Sequence, residues 1–448
     1  MLRDQSSRRD AWTARLVWGI WAALTVAAIG LILALGTDMP FWDDWSDMVS
    51  FYAGVLPVDA GTLWLPHNEH HIPLSRLILM GLARATDHDL RAGAVFNAVA
   101  LSAASALLLR SARNVDGRLR LADCALPLLL LHWGQYVTIL WSYQVHAALL
   151  VLIASALLAL LSRRPDPPPP RSIIAFGTGL LTLPLCQAAG IALAPLLAAW
   201  CGVVGVLGLR SPEPARRRAG WAALALAAAA IVLAALAYVP PRWETAGDPT
   251  RVLWWSAVML STAFGMTERV SPFALVLLPV VAATLMLATG ALLLHVIRTQ
   301  PRERLRAVGL GLFLLAFLGL ALGIAWGRRD MALSNRYPVL AAPFFCAVYL
   351  SWRRYGPGRS GGLVCAAMCA LLVMLAPWNA AAGLDFARHR AEIAAAFERD
   401  VYAGVPMEGL VSRYVPELHH ARVTLRRGLV NLRNAEIGVF RHIVGGPR

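Results

Sequence analysis

The chain has 448 residues, of which 58% are hydrophobic and only 15% are charged. A soluble domain averages about 45–50% apolar and about 25% charged residues, so this composition excludes an ordinary soluble fold. Every basic residue is Arg, which excludes a catalytic lysine. The net charge of +15 does not indicate nucleic-acid binding, because the Arg residues fall in short clusters between apolar runs and form no continuous basic face.

Apolar runs predict about eleven membrane-spanning helices. A helix needs roughly 20 apolar residues to cross the hydrocarbon core, and several runs reach that length. The first run is longer than the apolar part of a signal peptide, so we interpret it as a retained anchor. The sequence therefore predicts an all-α, polytopic transmembrane helix bundle. The predicted helices lie near residues 16–36, 92–109, 121–139, 143–162, 172–188, 190–209, 219–240, 272–297, 306–326, 337–352 and 361–380.

The distribution of Arg predicts the orientation of these helices, because cytoplasmic loops are rich in basic residues. With a cytoplasmic N-terminus, all six inner segments carry Arg clusters. The first outer loop, residues 37–90, instead carries eight acidic residues and only two Arg. The inner clusters lie within residues 3–15, 110–120, 163–171, 210–218, 298–306 and 353–359.

The end of the chain is more charged than the rest. An odd number of spans would leave it on the outer side, and apolar residues recur there at helical spacing between Leu410 and Leu432. We therefore predict a transmembrane domain over residues 1–380, which includes the first outer loop, and an outer helical tail over residues 381–448.

The first outer loop opens with PFWDDWSD at residues 40–47. Acidic residues between Trp side chains suit the membrane interface, since Trp prefers the headgroup level. Asp43 and Asp44 are adjacent and repel each other, and partial burial also disfavours ionisation, so one of them can have a raised pKa. This predicts a general base, Asp43 or Asp44. A solvated acidic loop with aromatic anchors is the alternative.

A second polar cluster in this loop is HNEHH at residues 67–71. A loop that only connects two helices does not need three His and one Glu within five positions. Two interpretations stand beside a plain solvated loop. In one, the side chains contact substrate through hydrogen bonds. In the other, His67 and His71 stand four positions apart, as ligands on a helix do, and bind a divalent metal with Asp43 or Asp44. The candidate substrate-binding residues of this segment are His67, Glu69, His70, His71 and Arg76.

The predicted loop before the tenth helix breaks the charge rule. It places Arg328, Arg329 and Arg336 on the outer side, with Tyr337 following. Arg suits phosphate because its guanidinium donates two parallel hydrogen bonds. These four residues are therefore candidate ligands of an anionic substrate. Pairing of the three Arg with Asp330 and with the acidic first loop is the alternative.

Polar residues also lie near the predicted outer ends of several helices. Such residues usually face the bundle interior or a cavity, so they either line a substrate groove or form hydrogen bonds between helices. They are His132, Gln135, Gln144, His146 and Gln187.

The layout resembles the GT-C superfamily of membrane glycosyltransferases, which includes protein O-mannosyltransferases and lipid A aminoarabinose transferases. The resemblance rests on Asp43-Asp44 directly after the first helix and on Arg336-Tyr337 in a late outer loop, and its topology covers the chain to about residue 377. It implies transfer of a sugar from a polyprenyl-phosphate donor to a glycan, lipid or protein acceptor. The site would face the periplasm or exterior of a bacterial inner membrane.

The resemblance also implies residue roles. Asp43 matches the first acid of the family pair and would be the general base, whereas Asp44 departs from the commoner Glu. Arg336, with Arg328 or Arg329, would hold the donor phosphate. The sequence contains no Rossmann-type Gly-rich fingerprint, which fits a lipid-linked donor, and no soluble cofactor is implied. Some relatives use a divalent metal and others do not.

A transporter, lipid-linked glycan flippase or polymerase is the alternative function. A transporter typically shows related halves and charges near the midplane of the membrane. Here the acidic residues lie in a loop, and the long polar loop comes first rather than late in the chain. The sequence therefore favours the glycosyltransferase.

Overall fold

The computed structural model describes residues 2–163, 168–240, 248–265, 272–328 and 334–445, and within these ranges the side chains of residues 2–7, Pro272 and Arg328 are not described. The described chain is almost entirely helical, with one short hairpin formed by β1 (Pro66–His67) and β2 (His70–His71). The helices are α1 (Leu2–Leu35), α2 (Val49–Tyr52), α3 (Ala60–Leu63), α4 (Pro73–Ala85), α5 (Arg91–Asp116), α6 (Ala125–Leu131), α7 (Tyr136–Leu140), α8 (Val145–Leu161), α9 (Pro170–Thr182), α10 (Ala188–Leu209), α11 (Pro214–Ala237), α12 (Pro249–Ser261), α13 (Pro272–Thr299), α14 (Arg304–Arg328), α15 (Pro338–Tyr355), α16 (Gly358–Tyr402), α17 (Met407–Leu418) and α18 (Arg422–Asn434).

The predicted all-α transmembrane bundle is confirmed. In the described ranges, eight helices are long and apolar enough to cross a membrane, so the chain is a multi-pass integral membrane protein. Of the other three predicted segments, 121–139 and 172–188 coincide with interrupted helices, and 337–352 coincides with α15, a continuous helix with two Arg residues in its last turn. The total of eleven spans and the cytoplasmic N-terminus stay predictions. The eight helices are α1, α5, α8, α10, α11, α13, α14 and α16.

The junction between α9 and α10 shows why one predicted segment is interrupted. Pro184 lies in the short 3₁₀ turn after α9, where its ring cannot continue an α-helix. Gln187 is fully extended, and a Cβ on the following Gly190 would lie 1.8 Å from the carbonyl oxygen of Leu183. This sharp turn places Gln187 just before α10, at the end of the bundle that carries the first outer loop.

Helix α15 lies at the centre of the bundle. Every residue from Pro338 to Ser351 is buried, and the helix contacts α8, α12, α13, α14 and α16. Its N-terminal Pro338 suits a first helical position, where no backbone N–H is needed. Arg336 and Tyr337, which precede the helix, are thereby held against the first outer loop.

The predicted boundary between residues 380 and 381 lies inside α16. This helix has 45 residues and is about 68 Å long, about twice the thickness of a hydrocarbon core. Its C-terminal part packs with α17 and α18 on the start of the first outer loop, where Met39, Trp45 and Val49 share one core with Phe397 and Leu410. The tail therefore lies on the same side of the membrane as the first outer loop.

Residues 66–71 form a hairpin and not a helical turn. Pro66 lies opposite His71, and His67 lies opposite His70. Asn68 turns the chain with a φ of +51°, a left-handed conformation that Asn tolerates better than most residues. Neighbouring strand positions face opposite sides, so His67 and His71 face apart. The helical spacing assumed for a metal site at His67 and His71 is wrong.

Candidate functional site

The acidic turn after α1 is stabilised by a hydrogen bond to α17 and by a hydrogen bond within the turn. Trp42 has a φ of +46°, which is rare for a bulky residue and must be stabilised by its surroundings. Its backbone N–H donates to the carbonyl oxygen of Leu418 at the end of α17, at 2.8 Å. The indole of Trp45 donates to the carbonyl oxygen of Pro40 at 2.9 Å. These bonds fix the direction in which Asp43 leaves the turn.

Asp43 is the half-buried carboxylate of the turn, with a side chain that is 21% exposed. Its Oδ2 accepts a hydrogen bond from Nη1 of Arg336 at 3.1 Å. The Arg336 guanidinium also lies over the rings of Trp42 and Trp141, 4.9 and 5.2 Å from their centroids. Cation–π contact orients the guanidinium without using its N–H groups, so further donors face the adjoining space.

Asp44 lies behind Trp141 and is only 1% exposed, counting backbone and side chain together. Its Oδ2 accepts from the indole of Trp141 at 2.7 Å and from the backbone N–H of Phe41 at 3.1 Å, whereas Oδ1 has no partner. Burial raises the pKa of Asp44 to about 7, although these two hydrogen bonds and the nearby Arg390 lower it. The adjacent carboxylates are thus separated by Trp141 into an accessible one and an enclosed one.

Asp47 and Arg76 form a buried clamp beneath the turn. Arg76 is 1% exposed, and its Nη2 and Nε donate to the two oxygens of Asp47. Its Nη1 donates to the carbonyl oxygens of Leu63 and Leu65, and the hydroxyl of Tyr143 donates to Asp47 at 3.2 Å. Arg76 therefore connects three parts of the first outer loop. Its buried guanidinium has no surface free for a substrate.

Asp43 and Arg336 face a polar cavity of about 90 Å³ between the hairpin, α8 and the start of α15. Almost all of its lining side chains can form hydrogen bonds. We call it the polar cavity. Its lining residues are Asp43, His67, Asn68, His70, Tyr143, Gln144, His146, Ala147, Gln187, Arg336, Tyr337 and Leu340.

A larger, mainly apolar groove of about 450 Å³ adjoins the polar cavity. Four residues line both spaces: His70, Gln187, Tyr337 and Leu340. The amide nitrogen of the buried Gln187 has no hydrogen-bond partner in the described part of the chain. We call this space the apolar groove. Its remaining lining residues are Glu69, Ala188, Ala189, Ile191, Ala192, Tyr238, Val239, Leu320, Gly323, Ile324, Trp326 and Gly327.

The structure brings together some of the residues predicted as substrate ligands. His67, His70, Arg336 and Tyr337 line the polar cavity, and Glu69 lines the apolar groove. His71 lies elsewhere, because its Nδ1 hydrogen-bonds to the carbonyl oxygen of Trp64 and its ring stacks on that indole at 4.8 Å.

Two of the predicted phosphate ligands cannot be placed. The side chain of Arg328 is not described, and Arg329 lies outside the described residues.

The metal interpretation does not hold in the described ranges. Asp44 is enclosed behind Trp141, and the hairpin turns His71 away from His67. Of the four suggested ligands, Asp43 and His67 line the same cavity. No group of three or more His, Cys, Asp or Glu side chains in the described chain is placed to hold a metal ion.

Sequence reasoning missed Trp141 and Tyr143, which link the acidic turn to α8. Their signal was the run WSYQ between two predicted helices, where interfacial aromatic residues are common. Three of the flagged helix-end residues, Gln144, His146 and Gln187, do line the polar cavity. His132 and Gln135 instead hydrogen-bond to the carbonyl oxygens of Ala263 and Leu129, away from the cavity.

No protein-family model matches this sequence, and no curated protein matches it. Among solved structures, it is similar to crystal structures of ArnT from Cupriavidus metallidurans in the apo state and bound to undecaprenyl phosphate. The identities are 14% and 13% and the TM-scores 0.46 and 0.45, and each match covers 96% of this chain and 78% of the ArnT chain. At these values the likeness assigns no role to any residue of this chain.

Proposed function

We propose that the protein is a membrane glycosyltransferase that takes a sugar from a polyprenyl-phosphate donor and transfers it to an acceptor on the outer face of the membrane. The observation that carries this proposal is the junction of the polar cavity with the apolar groove. A polyprenyl-phosphate sugar has the same division, a long apolar chain joined through phosphate to a polar head. The isoprenoid chain would lie along Ile191, Leu320 and Ile324, and the head would lie beside Asp43 and Arg336.

Arg336 would bind the donor phosphate. One of its N–H groups donates to Asp43, and the guanidinium has four more to offer to phosphate oxygens. As the sugar leaves, negative charge grows on the phosphate, and charge-assisted hydrogen bonds from a fixed guanidinium stabilise that charge.

Asp43 would be the general base. It is the carboxylate of the turn that lines the polar cavity, where it can accept the proton of an acceptor hydroxyl or amine as that group attacks the sugar. Asp44 does not line this cavity, so we assign it a positioning role through Trp141, which also supports Arg336.

A genetic complementation experiment tests the proposal. A strain that lacks the gene is complemented with wild type or Asp43→Asn at equal expression, and its surface glycans and lipid-linked sugars are profiled by mass spectrometry. We expect wild type to restore a sugar on the acceptor. Asp43→Asn should leave that sugar absent while the polyprenyl-linked donor accumulates.

Asp59→Asn is the matched control, because Asp59 lies in the same loop, is exposed and lines neither space. This variant should restore the full profile, since Asn can also cap the short helix α3 that Asp59 precedes. A deletion that changes no glycan and no lipid-linked sugar would rule out the transferase and favour a transporter.

A further inference from the structure

A separate cavity of about 190 Å³ lies between the first outer loop and the tail. One wall comes from the loop, with Asp38, Tyr52 and His88, and the opposite wall comes from Glu398 of α16 and from residues 437–440 after α18. It shares no lining residue with the polar cavity or the apolar groove. The proposed transfer reaction therefore does not use it.

Two carboxylates face this cavity without a matching cation. Asp38 accepts one hydrogen bond, from the backbone N–H of Leu90 at 2.7 Å. Neither Asp38 nor Glu398 forms an ion pair with another described residue, and the nearby Arg91 is paired with Asp89. Burial raises the pKa of Asp38 to about 6, so this carboxylate is still mostly ionised at neutral pH. The cavity therefore presents net negative charge.

An unsatisfied hydroxyl is the second and independent feature. Tyr52 lines the cavity, is only 6% exposed, and its hydroxyl has no hydrogen-bond partner in the described structure. A buried hydroxyl without a partner costs free energy, so such a group is usually satisfied by a ligand or water. Burial raises the pKa of Tyr52 well above its usual value, so the group stays a neutral phenol.

These acceptors suit an N–H cation better than a metal ion. Divalent hard cations take six or more oxygen ligands, and the described chain offers no group of three or more acidic, His or Cys side chains at one point. An ammonium group donates three hydrogen bonds, which matches two carboxylates and one phenol oxygen. The apolar side chains of Met39, Leu432 and Phe440 in the same cavity can pack against the carbon chain of such a ligand.

We infer that this cavity, between the first outer loop and the tail, is a binding site for a protonated primary amine held by Asp38, Glu398 and Tyr52. Its occupant would connect the loop that carries Asp43 to α16. Such an amine can come from a soluble compound or from the ethanolamine headgroup of a lipid.

The test measures the unfolding temperature of the full chain in phosphatidylcholine nanodiscs as ethanolamine is added at pH 7.5. We expect a saturable rise with ethanolamine and none with choline, which lacks N–H donors, or with ethylene glycol, which lacks the charge. Glu398→Gln should weaken ethanolamine binding about tenfold, the equivalent of one lost charge-assisted hydrogen bond. Asp38→Asn should have a similar effect, and Tyr52→Phe a smaller one.

Glu392→Gln is the matched control, because Glu392 is exposed on the same helix and does not line the cavity. This variant should bind ethanolamine as wild type does. Nanodiscs of phosphatidylethanolamine separate the two sources: a lipid headgroup in the site would remove the response to added ethanolamine, and a soluble amine would leave it. Equal stabilisation by choline, equal loss in Glu392→Gln, or binding of Mg²⁺ or Ca²⁺ that depends on Glu398 would overturn the inference.

Discussion

Two Arg–Asp clusters at opposite ends of the bundle differ in how many guanidinium N–H groups donate hydrogen bonds to the protein. Arg353 at one end has a fully buried side chain, and it donates to both oxygens of Asp116, to Asp123 and to the carbonyl oxygen of Arg118. Arg336 at the other end is 29% exposed and donates one hydrogen bond, to Asp43.

The difference separates an ion pair enclosed by the protein from one that we propose binds a ligand. Four of the N–H groups of Arg353 donate to the protein, so the cluster fixes α15 to the end of α5 and to the segment that follows it. Arg336 is oriented by the rings of Trp42 and Trp141 and keeps donors that face a cavity. Residue type and charge are the same in both, whereas the burial of the guanidinium and the protein acceptors around it differ.

The largest expected effect is the loss of turnover in Asp43→Asn. Removal of a general base typically costs about 10²–10⁴ in rate, because the acceptor then keeps its proton in the transition state. The unfolding temperature should stay within a degree or two of wild type, since the Asp43 side chain is partly exposed. Sugar transfer by purified protein in liposomes measures the first quantity. Turnover within tenfold of wild type would contradict the assignment.

Arg353→Met should produce the largest loss of stability. It leaves the buried Asp123 without its ion-pair partner and the partly buried Asp116 without one of its Arg partners, and breaking such a pair from one side costs about 3–5 kcal/mol. Denaturant unfolding in detergent measures this loss. The matched control is Arg216→Met, which breaks an exposed pair with Glu213 and should cost under about 1 kcal/mol. Similar losses in the two variants would show that the Arg353 cluster is not structural.

Arg336→Gln should raise the KM for the lipid-linked donor about tenfold or more, because charge-assisted hydrogen bonds to phosphate are worth about 1.5–3 kcal/mol. Arg336→Lys should recover part of this loss, since it keeps the charge but not the planar fork. Unfolding should change little in both variants, in contrast to Arg353→Met. A KM that does not change in Arg336→Gln would remove the phosphate-binding role.

Asp44→Asn should have the smallest effect on turnover, a few-fold at most, because Asn can still accept from the Trp141 indole. Its signature is in the pH dependence of stability. Burial raises the pKa of Asp44 to about 7, so its contribution to stability is fully present below its ordinary pKa and is lost as the pH rises through 7. The unfolding temperature of wild type should therefore fall between about pH 4 and pH 7, and that of Asp44→Asn should fall less over the same range. Parallel profiles would show that Asp44 is already ionised.

The sequence predicted the helices well because apolar length and Arg clusters are local signals. It also identified Asp43 and Arg336 as candidates, and it offered pairing of Arg336 with the acidic first loop as an alternative. It did not single out Asp43 as the partner, because the two residues are 293 positions apart and no local pattern reports such a contact. Arg76 was predicted as a substrate ligand because a charged residue follows the His cluster. Its burial against Asp47 depends on the packing of the whole loop, which spacing does not show.

The hairpin at residues 66–71 shows a different limit. The spacing of His67 and His71 fits a helix as well as a loop, and the choice is decided by the left-handed conformation of Asn68. The docking of the tail on the first outer loop was also beyond prediction. Helical periodicity indicates that a segment such as 410–432 has an apolar face but does not indicate which surface covers that face.

The hydrogen bond between Trp42 and Leu418 has a consequence for biosynthesis. The acidic turn is made soon after the first helix, whereas Leu418, its backbone partner, is made much later. The turn can therefore form this hydrogen bond only after α17 has been made and has reached the side of the membrane that carries the first outer loop. A chain cut before α17 would carry Asp43 in a turn that lacks this bond.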